Sequence, residues 1–450
     1  MSKLAFNLIV GLLVAFTAQE SVAVSYTYIT LDVPRSASTD ANGINEFSQV
    51  VGAYLDAAGI THGFIYNGGN YSTLDMPNAT YLSAQSISAS GQVVGTYRNA
   101  SGATNSFFFS EGNYTTLSMP GSTYNYANGI SSNGQVVGTY LDSAGVNHGF
   151  IYSGGHYSTL DAPGSNFTTA QGISASGQVV GNYSYDPSVD PKEYGFIYTG
   201  GNYLTLNPSS ANITHTIGIN DNGQVVGFYW DASNILRSFG YSGGQYITLT
   251  MPGATYTSVQ GINAYGQVLG WYDDACGTTR SFVYSGGNYL TLAVPEATQT
   301  SAKGISDKAE VVGYYIDSNQ QRHGFIAIPQ YSAAPVPGIY QNCNQIAVSL
   351  DPGPYQGKNG DWWFVAYAPS SGHWYSYVYP LQWRDIGTDL SKITPAYQGP
   401  LSNSTNVPLF NTKGIPSGET YFLYFGVDTN MNGILDMDQV YYTEYTLNVP

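Results

Sequence analysis

Gly129-Ile130-Ser131, followed after a short turn by Gln135-Val136-Val137-Gly138, is one of seven copies of a single phrase. The others centre on Ile44, Ile87, Ile173, Ile219, Ile262 and Ile305, and the successive spacings are 43, 43, 43, 46, 43 and 43 residues. Repeats of this length with four short β-rich runs each mark propeller blades, whereas helical repeats would carry a 3.6-residue period, which is absent. In the copy around Ile130 the runs predict strands at Tyr126–Ser131, Gln135–Tyr140, His148–Tyr152 and Tyr157–Asp161. Asn133-Gly134 and Gly154-Gly155 fall between them, where tight hairpins need the positive φ that glycine supplies. The Gly-Gly pair returns at Gly68-Gly69, Gly200-Gly201, Gly243-Gly244 and Gly286-Gly287.

The ends of the array point to a ring. The last repeat stops after a third run, Gly324–Ile328, and lacks the Tyr-x-Thr-Leu strand of the earlier ones. That strand stands at the other end of the chain: Tyr28-Ile29-Thr30-Leu31-Asp32-Val33-Pro34 matches Tyr71-Ser72-Thr73-Leu74-Asp75-Met76-Pro77. The expectation is an all-β, seven-bladed β-propeller over residues 24–330, closed by its N-terminal strand, because closure hides strand edges that an open array exposes.

Composition bounds the partners. The 450 residues are 42% hydrophobic, 14% aromatic and only 9% charged, with a formal net charge of −16. Such a chain has the apolar material for a core and is not of the disordered class. With 13 Lys and Arg it cannot neutralise a row of phosphates or coat an anionic bilayer, which excludes nucleic acid and membrane surfaces as expected partners. Met1–Ala23 reads as a secretory signal peptide, with Lys3, an apolar stretch from Leu4 to Phe16 and a small-x-small site at Ser21-Val22-Ala23. The mature chain is expected to be extracellular or at the cell surface, without a transmembrane segment.

The repeated phrase, followed by His62-Gly63-Phe64, His148-Gly149-Phe150 and His323-Gly324-Phe325, resembles the HAF repeats of bacterial extracellular proteins over roughly residues 26–330. Glycine replaces the central alanine here, and Ser106-Phe107-Phe108, Tyr194-Gly195-Phe196, Ser238-Phe239-Gly240 and Ser281-Phe282-Val283 lack the histidine. The resemblance implies secretion and a propeller-like fold, and supplies no catalytic residues. After a Pro- and Ala-containing linker at 331–337, residues 338–450 hold Trp362, Trp363, Trp374 and Trp383 and predict a β-sandwich-like domain, with strand-like runs at Asp361–Tyr367, Trp374–Tyr379, Thr420–Val427 and Tyr441–Val449. This part resembles domains appended to other bacterial secreted or surface proteins.

Three groups of candidate functional residues stand out. Asp428, Asn430, Asn432, Ile434, Asp436 and Asp438 surround Gly433 with oxygen ligands at alternating positions, the front half of an EF-hand-like loop for Ca²⁺. Gln439 replaces the bidentate Glu of that loop, and a polar hairpin turn is the alternative. Next, every second strand ends in Tyr (Tyr54, Tyr97, Tyr140, Tyr183, Tyr229, Tyr272, Tyr315), and Asp56, Asp142, Asp231, Asp274 and Asp317 follow two residues later. Recurrence in all repeats argues for packing; a face of aromatic platforms for sugar rings is the functional alternative. The repeat is broken at Tyr185, Asp186 and Asp190 and at Asp273 and Asp274, so the loop face carrying Tyr183, Tyr185, Asp186, Asp190, Tyr229, Trp230, Asp231, Trp271, Tyr272, Asp273 and Asp274 is the expected binding surface. Asn42, Gln85, Asn128, Gln171 and Gln260 fall on the predicted innermost strand and are expected to surround an axial channel holding ordered water. Cys276 and Cys343, the only cysteines, have the reach to pair in an oxidising compartment; two unrelated thiols are the alternative.

The six His lack metal-ligand spacing, and no Gly-x-Ser-x-Gly elbow, phosphate loop or His-Glu-x-x-His occurs. The reading is therefore a secreted, non-enzymatic binding or display module for an extracellular glycan or a surface or matrix protein. The rivals are a carbohydrate-active hydrolase or lyase using carboxylates on the loop face, and a purely structural surface component.

Overall fold

The computed structural model describes residues 23–450 apart from 187–189, 191, 209–210, 275–276, 343–344, 379–381, 403, 412–418, 431, 436–439 and 449–450. All but the last residue of Met1–Ala23, the stretch read as a signal peptide, lie outside this set, as do both cysteines. Two compact units are formed, one spanning Tyr26–Gln330 and the other taking in Tyr331–Pro450. Among the described residues there is no α-helix, and no helix is long and apolar enough to cross a membrane.

In the first unit each repeat builds four antiparallel strands. The first repeat gives Ser38–Ile44, Val50–Leu55, Thr61–Asn67 and Asn70–Leu74, paired in that order. The later repeats open with Ala79–Ile87, Tyr124–Ile130, Phe167–Ile173, Ile213–Ile219, Tyr256–Ile262 and Gln299–Ile305. In the last repeat the fourth place is taken by Ala23–Leu31, which pairs with Arg322–Ser332. Tyr28 there packs edge-on against Phe325 at 5.9 Å.

The Val-Val-Gly core of the phrase explains the stacking. Neighbouring residues of a strand point to opposite faces, yet Val50 and Val51 are both fully buried, so both faces of the sheet are covered. Val50 and Phe64 pack on Val312 and Ile326 of the last repeat, and Val51 on Val93, Tyr97 and Phe107 of the second. The glycine is sterically required. A Cβ on Gly52 would sit 1.9 Å from Asp40 O and 2.7 Å from the Phe64 ring, and the same crowding recurs at Gly138, 1.9 Å from Tyr126 O. The hairpin glycines Gly154 and Gly155 have φ of 57° and 88°, as a two-residue turn with positive φ at both positions demands.

Each first strand carries a bulge just before its Gly-Ile (Ser86-Ile87 in the second repeat), as between Ala41 and Gly43. First strands of successive repeats pack on one another, and Gln299–Ile305 packs on Ser38–Ile44. Hydrogen bonds tie these neighbours. Asn42 donates to Ala84 O at 2.9 Å and Asn128 to Ala170 O at 2.8 Å; Asn220 and Asn263 donate to Asn263 O and Ser306 O, both at 2.9 Å. Between the last and first repeats, Ser48 Oγ lies 2.9 and 2.8 Å from the two carboxylate oxygens of Glu310.

The second unit is all-β as well. A sheet of Val336–Asn342, Gln345–Asp351 and Ser404–Asn411 shares one core with a sheet ordered Gln382–Gly387, His373–Val378, Asn359–Ala368, Thr420–Asp428 and Val440–Asn448, with Tyr397–Pro400 pairing Asn359–Ala368. Ile346, Val348 and Leu350 meet Phe364, Leu423, Phe425 and Val427 in that core. Strands Arg322–Ser332 and Val336–Asn342 run into the stretch read as a linker and leave only residues 333–335 outside strands. Proline does not interrupt Val336–Asn342, where Pro337 pairs with Leu350.

Candidate ligand site

The recurrent Tyr, Asp and His are consumed by structure. Tyr54 stacks on His62 at 5.2 Å and its hydroxyl lies 3.2 Å from that of Thr73; Tyr97, Tyr140, Tyr183 and Tyr272 repeat the Tyr–Thr contact at 3.0, 3.1, 2.8 and 3.1 Å. Asp56 Oδ1 accepts the N–H groups of Ala58 and Ile60, closing the turn, while Oδ2 lies 3.2 Å from His62 Nε2. His62 Nδ1 sits 2.6 Å from Asp75. Partial burial opposes its charge, but the carboxylates of Asp75 and Asp56 outweigh this and raise its pKa. Where the histidine is missing, Arg237 holds Asp231 at 2.8 Å and Arg280 holds Asp274 at 3.0 Å, and the Ile235 N–H bond to Asp231 lowers that carboxyl's pKa ahead of the Arg237 contribution.

The expected loop-face residues are placed likewise. Tyr194 occupies the histidine slot, stacks on Tyr183 at 5.5 Å and donates its hydroxyl to Asp190 at 2.7 Å, which lifts the phenol's pKa to about 12. Tyr185 packs edge-on against Tyr183 and Tyr194, and the Asp186 carbonyl accepts the Asp190 N–H. Asp273 accepts from Thr279 at 2.6 Å, Tyr272 and Asp274 are buried, Tyr229 packs on Phe239 at 6.2 Å, and Trp230 meets Phe228 edge-on at 5.3 Å.

Trp271 differs from these. Together with Ile217, Phe228, Ser258, Val259, Gln260 and Lys303 it lines a cavity of about 380 Å³, within the usual range of about 300–1,000 Å³ for small-molecule sites. The construction is systematic. Ile217, Gln260 and Lys303 are the bulged residues of three successive first strands, and Phe228 and Trp271 are equivalent second-strand residues lying opposite His215 and Ser258. The same second-strand position is Ala53, Thr96, Thr139 and Asn182 in the first four repeats and Tyr314 in the last. Trp271 is held by a stack on Tyr256 at 4.8 Å. Gln260 Oε1 is buried without a hydrogen-bond partner among the described residues. Beside the cavity, Tyr314 lies 5.7 Å from Lys303 Nζ and 3.5 Å beneath the Arg322 guanidinium, which pairs with Asp40 at 2.5 Å. Burial raises the Asp40 pKa against the opposing pull of Arg322.

Of the loop-face set, only Trp271 lines this cavity. The signal for the remainder is present in the alignment of the repeats: the run Ala, Thr, Thr, Asn turns into Phe228, Trp271, Tyr314, and the Asn/Gln series at the bulge turns into Ile217 and Lys303. A site at the Asp428 loop is half described, since Asp428, Asn430, Asn432 and Ile434 belong to the described residues while Asp436 and Asp438 lie outside them.

No protein-family model and no curated protein matches the chain. Among solved structures it is similar to the Aleuria aurantia lectin in complex with Fucα1-6GlcNAc (13% identity, TM-score 0.35, covering 59% of this chain and 97% of that one). It is also similar to a lectin from Burkholderia pseudomallei (10%, TM-score 0.39, 66% and 99%) and to a prolyl endopeptidase (10%, TM-score 0.49, 70% and 55%). At this distance nothing of their binding or catalysis transfers.

Proposed function

We propose that the seven repeats form a closed seven-bladed propeller of the HAF-repeat kind, exported from the cell, and that it retains an extracellular glycan in the cavity around Trp271. Closure is supported by the packing of the last first strand on the first, by Ala23–Leu31 in the sheet of the last repeat, and by the Ser48–Glu310 contact. The binding role rests on one observation, the lining of the cavity. Phe228 and Trp271 offer flat apolar surfaces to the C–H face of a sugar ring, while Gln260, Ser258 and Lys303 offer hydrogen-bonding groups to its hydroxyls. No carboxylate is among the described lining residues, and glycoside cleavage ordinarily needs two. The reading is therefore retention rather than turnover.

The test is retention of the mature chain on an immobilised glycan panel, with product analysis of the same samples. Saturable retention without new products is expected. Product release would replace the binding role by catalysis, and failure of every panel member to compete with blank resin at millimolar concentration would overturn the glycan assignment in favour of a protein ligand or a structural role.

A further inference from the structure

We infer that the second unit holds a divalent cation, Ca²⁺, between Asp428 and a carboxylate that the loop's sequence does not contain, Asp361. Strands Asn359–Ala368 and Thr420–Asp428 are antiparallel neighbours, and their register sets Asp361 directly opposite Asp428. Both are fully buried. Two carboxylates facing each other across a strand pair repel, and burial strips them of the water that would moderate the repulsion. No Lys, Arg or His pairs with either among the described residues.

Their oxygens are not used alike. Asp361 Oδ1 accepts from Gln398 Nε2 at 2.7 Å and Oδ2 from the Gly433 N–H at 2.7 Å, which draws the loop against the strand. Asp428 Oδ1 accepts the Asn430 N–H at 2.8 Å, but Asp428 Oδ2 is buried and has no partner among the described residues. A buried, unpaired carboxylate oxygen costs more than an ordinary lost hydrogen bond. A cation at this oxygen removes both that cost and the repulsion. The neighbouring donors suit a hard ion: Asn430 and Asn432 follow at alternate positions, and Gly433 takes a φ of 73° that turns the loop back on the two strands. An all-oxygen set of carboxylates and amide carbonyls selects Ca²⁺ with its flexible coordination over Mg²⁺, which keeps most of its water. The described part of the loop alone supplies a single carboxylate; Asp361 raises this to two from a position 67 residues earlier in the chain.

Trp362 and Trp363 follow Asp361 directly and provide the readout. The mature chain, stripped with chelator, is titrated with Tb³⁺ while tryptophan is excited, then with Ca²⁺ and Mg²⁺ as competitors; Ca²⁺ binding is measured separately by calorimetry and by the shift in melting temperature. Sensitised Tb³⁺ emission that Ca²⁺ displaces and Mg²⁺ does not is expected, with a dissociation constant near or below the range of about 10⁻⁴–10⁻³ M known for extracellular modules. Asp361→Asn and Asp428→Asn should each weaken Ca²⁺ at least tenfold, while Asp385→Asn, on another strand, leaves it unchanged. If a variant fails to fold, the wild-type titrations decide: no heat, no displaceable emission and no Ca²⁺-induced rise in melting temperature at 10 mM overturns the site. Wild-type affinity in a folded Asp361→Asn variant overturns the assignment of Asp361.

Discussion

Replacing Gly138 by alanine should disrupt its blade more than any turn glycine would. The added Cβ meets Tyr126 O at 1.9 Å and two carbons of the Phe150 ring at 2.7 and 2.8 Å. Ordinary contact is about 3.5 Å or more, so the shortfall against the carbonyl is about 1.5 Å. Neither neighbour can give way cheaply. Tyr126 is hydrogen-bonded strand backbone, and the Phe150 ring is fully buried among Val94, Leu117 and Val136. Overpacking of this kind costs about 1–3 kcal/mol and sometimes more, and the loss of ladder bonds where the strands part puts Gly138→Ala at about 3 kcal/mol or above. Gly145→Ala is the matched control. Its Cβ enters open space, but φ is 83°, so it carries only left-handed strain of about 1–2 kcal/mol. Urea denaturation and thermal scans of the full chain measure both. Adding Phe150→Leu should not rescue Gly138→Ala, because the worst contact is with backbone. A Gly138→Ala protein that unfolds with the wild type, or later than Gly145→Ala, refutes the reasoning.

Ser48→Ala should cost about 1.5–3 kcal/mol, the worth of a hydrogen bond to a charged group, whereas Ser48→Gly with Glu310→Gln, which restores the pair that the middle repeats use, should cost clearly less than its two parts summed; denaturation of the four proteins in a double-mutant cycle measures this. Asn263 is buried and bonds Gln267, the Ser306 carbonyl and two backbone N–H groups, so Asn263→Ala should lose about 2 kcal/mol or more in the same assay. The raised pKa of His62 contributes stability that is fully present below its unfolded value of about 6.5 and is lost as pH rises through its folded pKa. The melting-temperature gap between wild type and His62→Gln should therefore be wider at pH 5.5 than at pH 8.5, and a gap that is flat or widens with pH contradicts the carboxylate clasp.

The four-stranded repeat units are legible in the repeat period alone, because packing both faces of every unit forces two adjacent apolar residues and a glycine at the same place in every repeat, Val-Val-Gly in six and Val268-Leu269-Gly270 in the sixth. Strand ends shift by one or two residues; the copy around Ile130 begins at Tyr124 rather than Tyr126, since pairing partners across the ladder set the ends. The small strands of the second unit, Tyr397–Pro400 and Gln382–Gly387 among them, escape a reading of the sequence because a single copy offers no internal alignment. The site is legible only in part. Attention to where loop lengths and loop residues break the repeat leads to Tyr185, Asp190 and Asp274, which are held in stacks, turns and ion pairs, whereas the cavity is built where the strand residues themselves stop recurring, at Ile217, Phe228, Trp271 and Lys303. Asp361 lies beyond reach for a different reason, since only strand register brings it opposite Asp428.

The central claim, that the ligand sits on Trp271, is tested most directly by titrating the glycan retained from the panel against wild type, Trp271→Ala and Tyr185→Ala, each checked for an unchanged melt of the bulk fold. Truncating a central aromatic anchor costs about 2 kcal/mol or more, and about 1.4 kcal/mol is tenfold, so Trp271→Ala should bind about 30-fold more weakly while Tyr185→Ala binds as the wild type does. Full affinity in Trp271→Ala together with loss in Tyr185→Ala would contradict the account and move the site to the loop of the fourth repeat.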